Sequence, residues 1–250
     1  MEKCLIQSLL KNFKAALLAT AFLAASNASA DIVISGTRII YPQSSKDVVV
    51  NLDNHGTKPL LVQTWLDDGR DGVNPEELKL PFIITPPVSR IDPKKGQSVR
   101  ITYTGIPLPQ DRESLFWFNV LEIPPKSKAA DKENLNQLQL AFRTRIKFFY
   151  RPDGLKGSAG EAAEHLTWTQ KKEGNAVKLV AHNNSPYNVS VSAVTIKASQ
   201  KTYDVDHKAV PPFSDTTMTV KGLASAVNGK VEFDTINDYG GTDHHEAGLK

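Results

Sequence analysis

The stretch at residues 137–152, QLQLAFRTRIKFFYRP, decides how the chain is read. In its first half Leu138, Leu140 and Phe142 alternate with Gln137, Gln139 and Ala141. A period of two marks a half-buried β-strand, with one face apolar and the other turned to water. The second half turns basic and aromatic through Arg143, Arg145, Lys147, Phe148, Phe149 and Tyr150. Arg151-Pro152 ends it, because proline cannot donate to a strand ladder. Strict alternation puts Leu138, Leu140 and Phe142 on one face and Lys147 on the other. Only a bulge or a change of twist at residues 143–145 would bring them to one face.

Working outward, strand-like runs occupy residues 31–42, 47–52, 59–66, 81–90, 98–104 and 107–125. The run at 81–90 carries Pro86-Pro87, a pair that fixes an edge or turn and invites a cis bond. With the run at 137–152 this makes about seven short strands separated by turn residues, without a strong helical period. The pattern reads as all-β, an immunoglobulin-like sandwich. Residues 126–136 are polar and charged and read as a mobile loop. Residues 153–164 form a small-residue connector, where the domain boundary is placed. Further runs at 165–169, 176–181, 187–198, 218–220 and 230–235 predict a second, smaller β-sandwich or barrel. The expected domains are residues 31–152 and 153–250. The end of the chain, 237–250, carries His244 and His245 and reads as a disordered polar tail.

The first thirty residues stand apart. Lys3, Lys11 and Lys14 precede an apolar run at 15–25, and Ala28-Ser29-Ala30 fits a small-residue cleavage site. The run is too short to span a bilayer. It predicts an export signal cut after Ala30, which would remove Cys4, the single cysteine of the 250-residue chain. The chain carries 30 Lys and Arg against 27 Asp and Glu, a net charge of +3. Loss of three lysines and Glu2 leaves 27 against 26, or +1. Such a balance gives no broad footprint for nucleic acid. No later segment is long enough to cross a membrane, and without a second thiol the cores must hold the fold together.

The sequence carries no nucleophile elbow, no phosphate-binding glycine loop and no paired-histidine zinc motif. No catalytic residue, cofactor or metal is expected. Asp67, Asp68 and Asp71 form an acidic loop whose spacing does not match a calcium-binding hand, and they read as solvated. Arg38 and Lys147 are more telling. Each sits in an otherwise apolar β-run, where a cation must snorkel, pair or serve an anionic ligand.

Residues 108–125, LPQDRESLFWFNVLEIPP, resemble the signature of the periplasmic pilus-assembly chaperones of the chaperone–usher pathway. Thr37-Arg38, Thr85-Pro86-Pro87-Val88, the run from Arg145 to Pro152 and the run from Ile236 to Gly241 extend the resemblance through the chain. It implies two immunoglobulin-like β-sandwich domains in a bent, boomerang-like arrangement, acting in the periplasm without enzymatic activity. It also implies a mechanism. A pilus subunit lacks its last strand, and the chaperone lends it one, with Leu138, Leu140 and Phe142 filling the subunit's groove. Arg38 and Lys147 would grip the subunit's terminal carboxylate, and Glu113, Arg151 and Asp238 would form an ion network between the domains. An outer-membrane usher would be met by Pro59, Leu61, Gln63, Thr85, Pro86, Pro87, Val88, Arg100 and Ile123. In the free state, self-capping as a homo-oligomer is implied as well. The loop before the lent strand looks like that of the branch that builds rod-like pili.

Two other readings compete. A fimbrial structural subunit or adhesin would also be a secreted β-sandwich. A secreted sugar-processing enzyme would use Asp67, Asp68 and Asp71, but glycoside hydrolysis needs two carboxylates set across a cleft, which one loop supplies poorly.

Overall fold

The computed structural model describes residues 31–70, 73–125, 140–199 and 201–249. The first run of sequence is two strands, β1 (Ile32–Ile34) and β2 (Arg38–Pro42), parted at Ser35-Gly36-Thr37. They join different sheets: β1 pairs antiparallel with β3 (Asp47–Asn54), and β2 pairs parallel with β9 (Phe142–Arg151). The other strands of this half are β4 (Leu60–Asp67), β5 (Phe82–Thr85), β6 (Val88–Ile91), β7 (Gly96–Tyr103) and β8 (Ser114–Ile123). The run read at 81–90 is likewise two strands, and the Thr85-Pro86 bond between them is cis.

A four-stranded sheet in the order β1-β3-β7-β5 covers a five-stranded sheet in the order β2-β9-β8-β4-β6. Val50, Leu52, Val99 and Ile101 from the first meet Tyr41, Val62, Phe116, Phe118, Phe148 and Tyr150 from the second. Rings dominate this core. Phe82 meets Phe148 edge-on at 4.9 Å and Phe116 at 5.2 Å. Each fully buried ring contributes about 2 kcal/mol through apolar burial alone.

β9 departs from the sequence reading in two ways. Among the described residues it begins at Phe142, after Leu140 and Ala141, with its ladder to β8 starting at the pair Glu122–Phe142. Leu138 lies outside the described residues, as does the loop read at 126–136, while Leu140 is described and precedes the strand. Nor is there a bulge at 143–145. The register is unbroken from Phe142 opposite Glu122 to Tyr150 opposite Ser114. Phe142, Ile146, Phe148 and Tyr150 therefore keep to the core side, and Arg143, Arg145, Lys147 and Phe149 to the outer side. The two sets never share a face.

The second half forms one curled sheet from β10 (Thr167–Glu173), β11 (Ala176–Asn183), β12 (Val191–Ala198), β13 (Lys201–Asp206), β14 (Ser214–Val220), β15 (Lys230–Ile236) and β16 (Thr242–Gly248). The order is β10-β11-β14-β13-β12-β15-β16, and a bridge between Trp168 and Leu249 joins its two ends. Trp168, Leu179, Ile196, Met218 and Val231 fill the interior. The described part of the tail, as far as Leu249, is thus not disordered. Residues 242–248 pair along the whole of β15, and His245 stacks on Phe233 at 5.0 Å. A short helix, α1 (Ala159–Glu164), occupies the connector, where Ser158 and Glu161 make a reciprocal cap. No helix among the described residues is long and apolar enough to cross a membrane.

Candidate functional site

Three features of the first sandwich converge at β9. The first is an uncovered strand end. β2 pairs only with Lys147 to Arg151, so among the described residues the outer edge of β9 from Phe142 to Ile146 has no neighbouring strand. Phe142 is 57% exposed and Leu140 55%. Their face is continuous with the core face that buries Phe148 and Tyr150 completely. The apolar alternation runs on beyond the sheet that would cover it, leaving an open edge and an unfilled apolar face.

The second is a pair of cations at the closed end of that open lane. Arg38 opens β2 and lies directly across from Lys147. Arg38 Nη1 donates to the Ile236 carbonyl at 2.7 Å, and Lys147 Nζ donates to Ser190 Oγ at 2.8 Å. Both partners are neutral. Arg38 Nε is buried and has no hydrogen-bond partner. Burial, and then the charge of Arg38, lowers the Lys147 ammonium from 10.5 to about 8. Burial likewise lowers Arg38, against the opposing pull of Asp238. Two half-desolvated cations without a directly bonded carboxylate make a place for an anion.

The third is the ion cluster beside it. Arg151 Nε donates to Glu113 Oε1 at 2.6 Å, and its Nη1 and Nη2 reach the two oxygens of Asp238 at 2.7 and 3.0 Å. Glu113 is buried and also accepts from the Asn188 backbone at 2.8 Å. The Arg151 guanidinium lies over the Tyr187 ring at 5.3 Å. Burial opposes its charge, but Asp238 and Glu113 outweigh it and raise its pKa. The Asn237–Gly241 turn that carries Asp238 sits against Thr37, just before β2. Gly240 has a positive φ of 84°, and a Cβ there would collide with Thr37 Oγ1. Arg38, Glu113, Phe149, Arg151, Tyr187 and Asp238 all line one cavity of about 360 Å³.

The structure thus brings together Arg38 with Lys147, and Glu113 with Arg151 and Asp238. The remaining group lies farther along the same sandwich, on both of its sheets. Leu61 stands between Arg90 and Ile123, and Gln63 between Val88 and Leu121. Pro59 precedes β4, and Thr85 pairs with Arg100 on the other sheet. Residues 85–88 cross from one sheet to the other, and Leu61 and Val88 are exposed.

The acidic loop is the clearest correction. Asp67 is buried rather than solvated, and Arg143, Arg145 and Asn119 all donate to it. Burial pushes its carboxyl up, but the bonds from Arg145, Asn119 and Gly69 prevail and hold it below the usual range. Asp68 is held by Arg70 at 2.7 Å, and Asp71 lies outside the described residues. Asp67 and Asp68 are neighbours engaged by arginines, not carboxylates across a cleft. Sequence reasoning missed this cluster, although Arg143 and Arg145 share a strand face with Lys147. It also missed Ser190 and the Ile236 carbonyl, which carry no sequence signal of their own.

Residues 31–156 match the pili and flagellar-assembly chaperone family in its PapD N-terminal domain, and residues 161–247 match the pili assembly chaperone PapD C-terminal domain. The chain belongs to the pilus-assembly chaperone family. It is similar to the probable fimbrial chaperone YadV of Escherichia coli K12, with 52% identity over 90% of this chain and 92% of the relative. The chaperone HifB of Haemophilus influenzae is 39% identical over 99% of both chains. The crystal structure of YadV superposes with a TM-score of 0.76 at 50% identity, over 88% of this chain and all of that one. The SafB chaperone of Salmonella enterica, solved in complex with the SafA pilin, gives 0.72 at 26% identity over 90% of this chain and 99% of that one. For this chaperone-family chain, the two-domain β-sandwich fold follows from both comparisons. They do not favour the reading as a structural subunit.

Proposed function

We propose that this protein is a periplasmic, non-enzymatic chaperone that captures pilus subunits by strand lending and delivers them to an outer-membrane usher. The observation that carries the reading is the uncovered end of β9, where Leu140 and Phe142 are more than half exposed beside an open lane. A subunit missing its last strand offers an apolar groove for these side chains, with Leu138 as a third, and an edge for the backbone. The lane ends at Arg38 and Lys147. A strand entering it with its terminal carboxylate on those cations runs parallel to β9, in line with β2. The carboxylate would bond the unpartnered Arg38 Nε and fix the register of the added strand.

In this reading Glu113, Arg151 and Asp238 hold residues 31–152 and 153–250 at the angle that presents the lane. Pro59, Leu61, Gln63, Thr85, Pro86, Pro87, Val88, Arg100 and Ile123 meet the usher. The thirty N-terminal residues serve as the export signal, cut after Ala30. When no subunit is bound, a second copy caps the exposed face. The relatives named as fimbrial chaperones, and SafB with its pilin, support the assignment.

Binding of a peptide copied from a subunit's C-terminal strand tests it. Each charge-assisted bond is worth about 1.5–3 kcal/mol, so amidating the peptide's C-terminus should weaken wild-type binding roughly ten- to a hundredfold. Arg38→Ala should lose most of that sensitivity while remaining folded. Leu140→Glu should bind weakly because it drives a carboxylate into an apolar groove, yet keep its sensitivity to amidation. Equal loss on amidation for wild type and Arg38→Ala would remove Arg38 from the anchor.

A further inference from the structure

The cluster around Asp67 has no part in the account so far. Asp67 ends β4 and accepts from Asn119 Nδ2 at 2.8 Å, Gly69 N at 2.8 Å, Arg143 Nη2 at 3.3 Å, Arg145 Nε at 3.1 Å, and Arg145 Nη2. Arg143 also donates to Asn119 Oδ1 through Nε and Nη2, at 2.9 and 2.7 Å. Each guanidinium lies over an indole: Arg143 over Trp65 at 5.0 Å and Arg145 over Trp117 at 4.4 Å. A side chain held at its edge by a carboxylate and on one face by a ring has little freedom left to lose on binding.

Neutralising Asp67 is the plain role for such a cluster, and one arginine suffices for it. The second is surplus charge. Arg143 is half exposed, and no acid besides Asp67 pairs with it among the described residues. Position gives the surplus a meaning. Arg143 and Arg145 lie on the part of β9 whose outer edge is open, and they share their face with Lys147 and its neighbour Arg38. Alternate residues of a strand recur every ~7 Å, so the three β9 cations form a row beside the lane. Among the described residues, Arg143 and Arg145 of that row share one buried carboxylate, Asp67, and Lys147 bonds only the neutral Ser190. A strand added in the lane sets its own outward side chains abreast of the row, at cross-strand pairing distance. Carboxylates there complete ion pairs, whereas lysines meet like charge.

We infer that Arg143 and Arg145, positioned by Asp67, form a second recognition site that selects subunits by acidic side chains on the outward face of the captured strand, ahead of its terminal carboxylate. The inference rests on the capture reading above. Asp67 acts through the two arginines and touches no partner itself.

The test uses the purified protein and synthetic twelve-residue peptides of alternating valine and threonine with a free C-terminus. One set carries Glu, Gln or Lys two and four residues before the end. A second set carries them one position earlier, which turns them to the opposite face. Wild type should prefer Glu over Lys by about tenfold in one set only, with Gln between them. Arg143→Gln leaves Arg145 and Asn119 on Asp67, so it should melt like wild type while the ratio falls at least threefold. The double variant Arg143→Gln with Arg145→Gln should bring the ratio within about twofold, with sensitivity to amidation unchanged. A wild-type ratio within twofold in both sets, or the same ratio in wild type and Arg143→Gln, overturns the inference but leaves the anchor standing. If binding by wild type is indifferent to amidation as well, the capture reading falls and this inference with it.

Discussion

Phe142 and Phe148 stand on the same face of the same strand and meet opposite fates. Phe148 is wholly buried, with β2 on one side of its strand, β8 on the other and the rings of Phe82 and Tyr41 over it. Phe142 is 57% exposed, with β8 on one side and an open edge on the other. The sequence pattern is continuous across both. The difference comes from the neighbours, because β2 begins only at Arg38 and, among the described residues, no strand pairs with that edge of β9 beyond it. One strand thus serves two structures, its own core and, in our proposal, the core of a partner. The cations Arg38 and Lys147 mark the frontier between them.

The largest expected effect breaks this comparison directly. Phe148→Ala removes a ring from a close-packed core and should cost about 3–5 kcal/mol of unfolding free energy in denaturant melts. Phe142→Ala should cost less than about 1 kcal/mol, as exposed substitutions do, yet weaken subunit capture severely. Equal losses of stability would mean that Phe142 is core after all, and the division of β9 would be lost.

A smaller effect sharpens the frontier. The Lys147 pKa is lowered in the folded protein, to about 8. The unfolded chain then binds this proton more tightly, so stability gains as pH rises from about 8 towards 10.5. Capture runs the other way, because a carboxylate needs the ammonium. Affinity for a subunit peptide should be level below about pH 7.5 and fall above pH 8, by at most about tenfold per unit. Lys147→Arg should flatten the profile, since a guanidinium stays charged throughout. A wild-type affinity unchanged between pH 7 and 9.5 would contradict the part given to Lys147.

Much of this was legible in the sequence where side chains alternate over a buried face. The runs read at 47–52, 59–66 and 98–104 correspond to the strands at Asp47–Asn54, Leu60–Asp67 and Gly96–Tyr103. Three kinds of feature were not legible. The runs at 31–42 and 81–90 each read as one strand, because switching sheets at Gly36 or Pro86 leaves the apolar pattern intact. β16 is polar along Asp243-His244-His245-Glu246 and owes its order to pairing with β15, which no local pattern encodes. The helix at Ala159–Glu164 was signalled by Ser158 and Glu161 at capping-box spacing, but small residues between them hid it. At the site, Arg38 and Lys147 stood out as cations in apolar runs. Asp67 did not, because its burial depends on two arginines about eighty residues away. No bulge forms at 143–145, where the register with β8 is unbroken; in our proposal the anchor and the lent face serve a partner from opposite sides of one strand.

The most direct test of the central claim is amide hydrogen exchange along β9, resolved by residue, with the protein free and then bound to a pilus subunit. In the free protein, amides of residues 142–146 that point to the open edge should exchange quickly, and those of 147–151, flanked by two strands, slowly. Capture should slow the first group by about a hundredfold or more and leave the second unchanged. Binding of the subunit without new protection at 142–146 would contradict strand lending by β9.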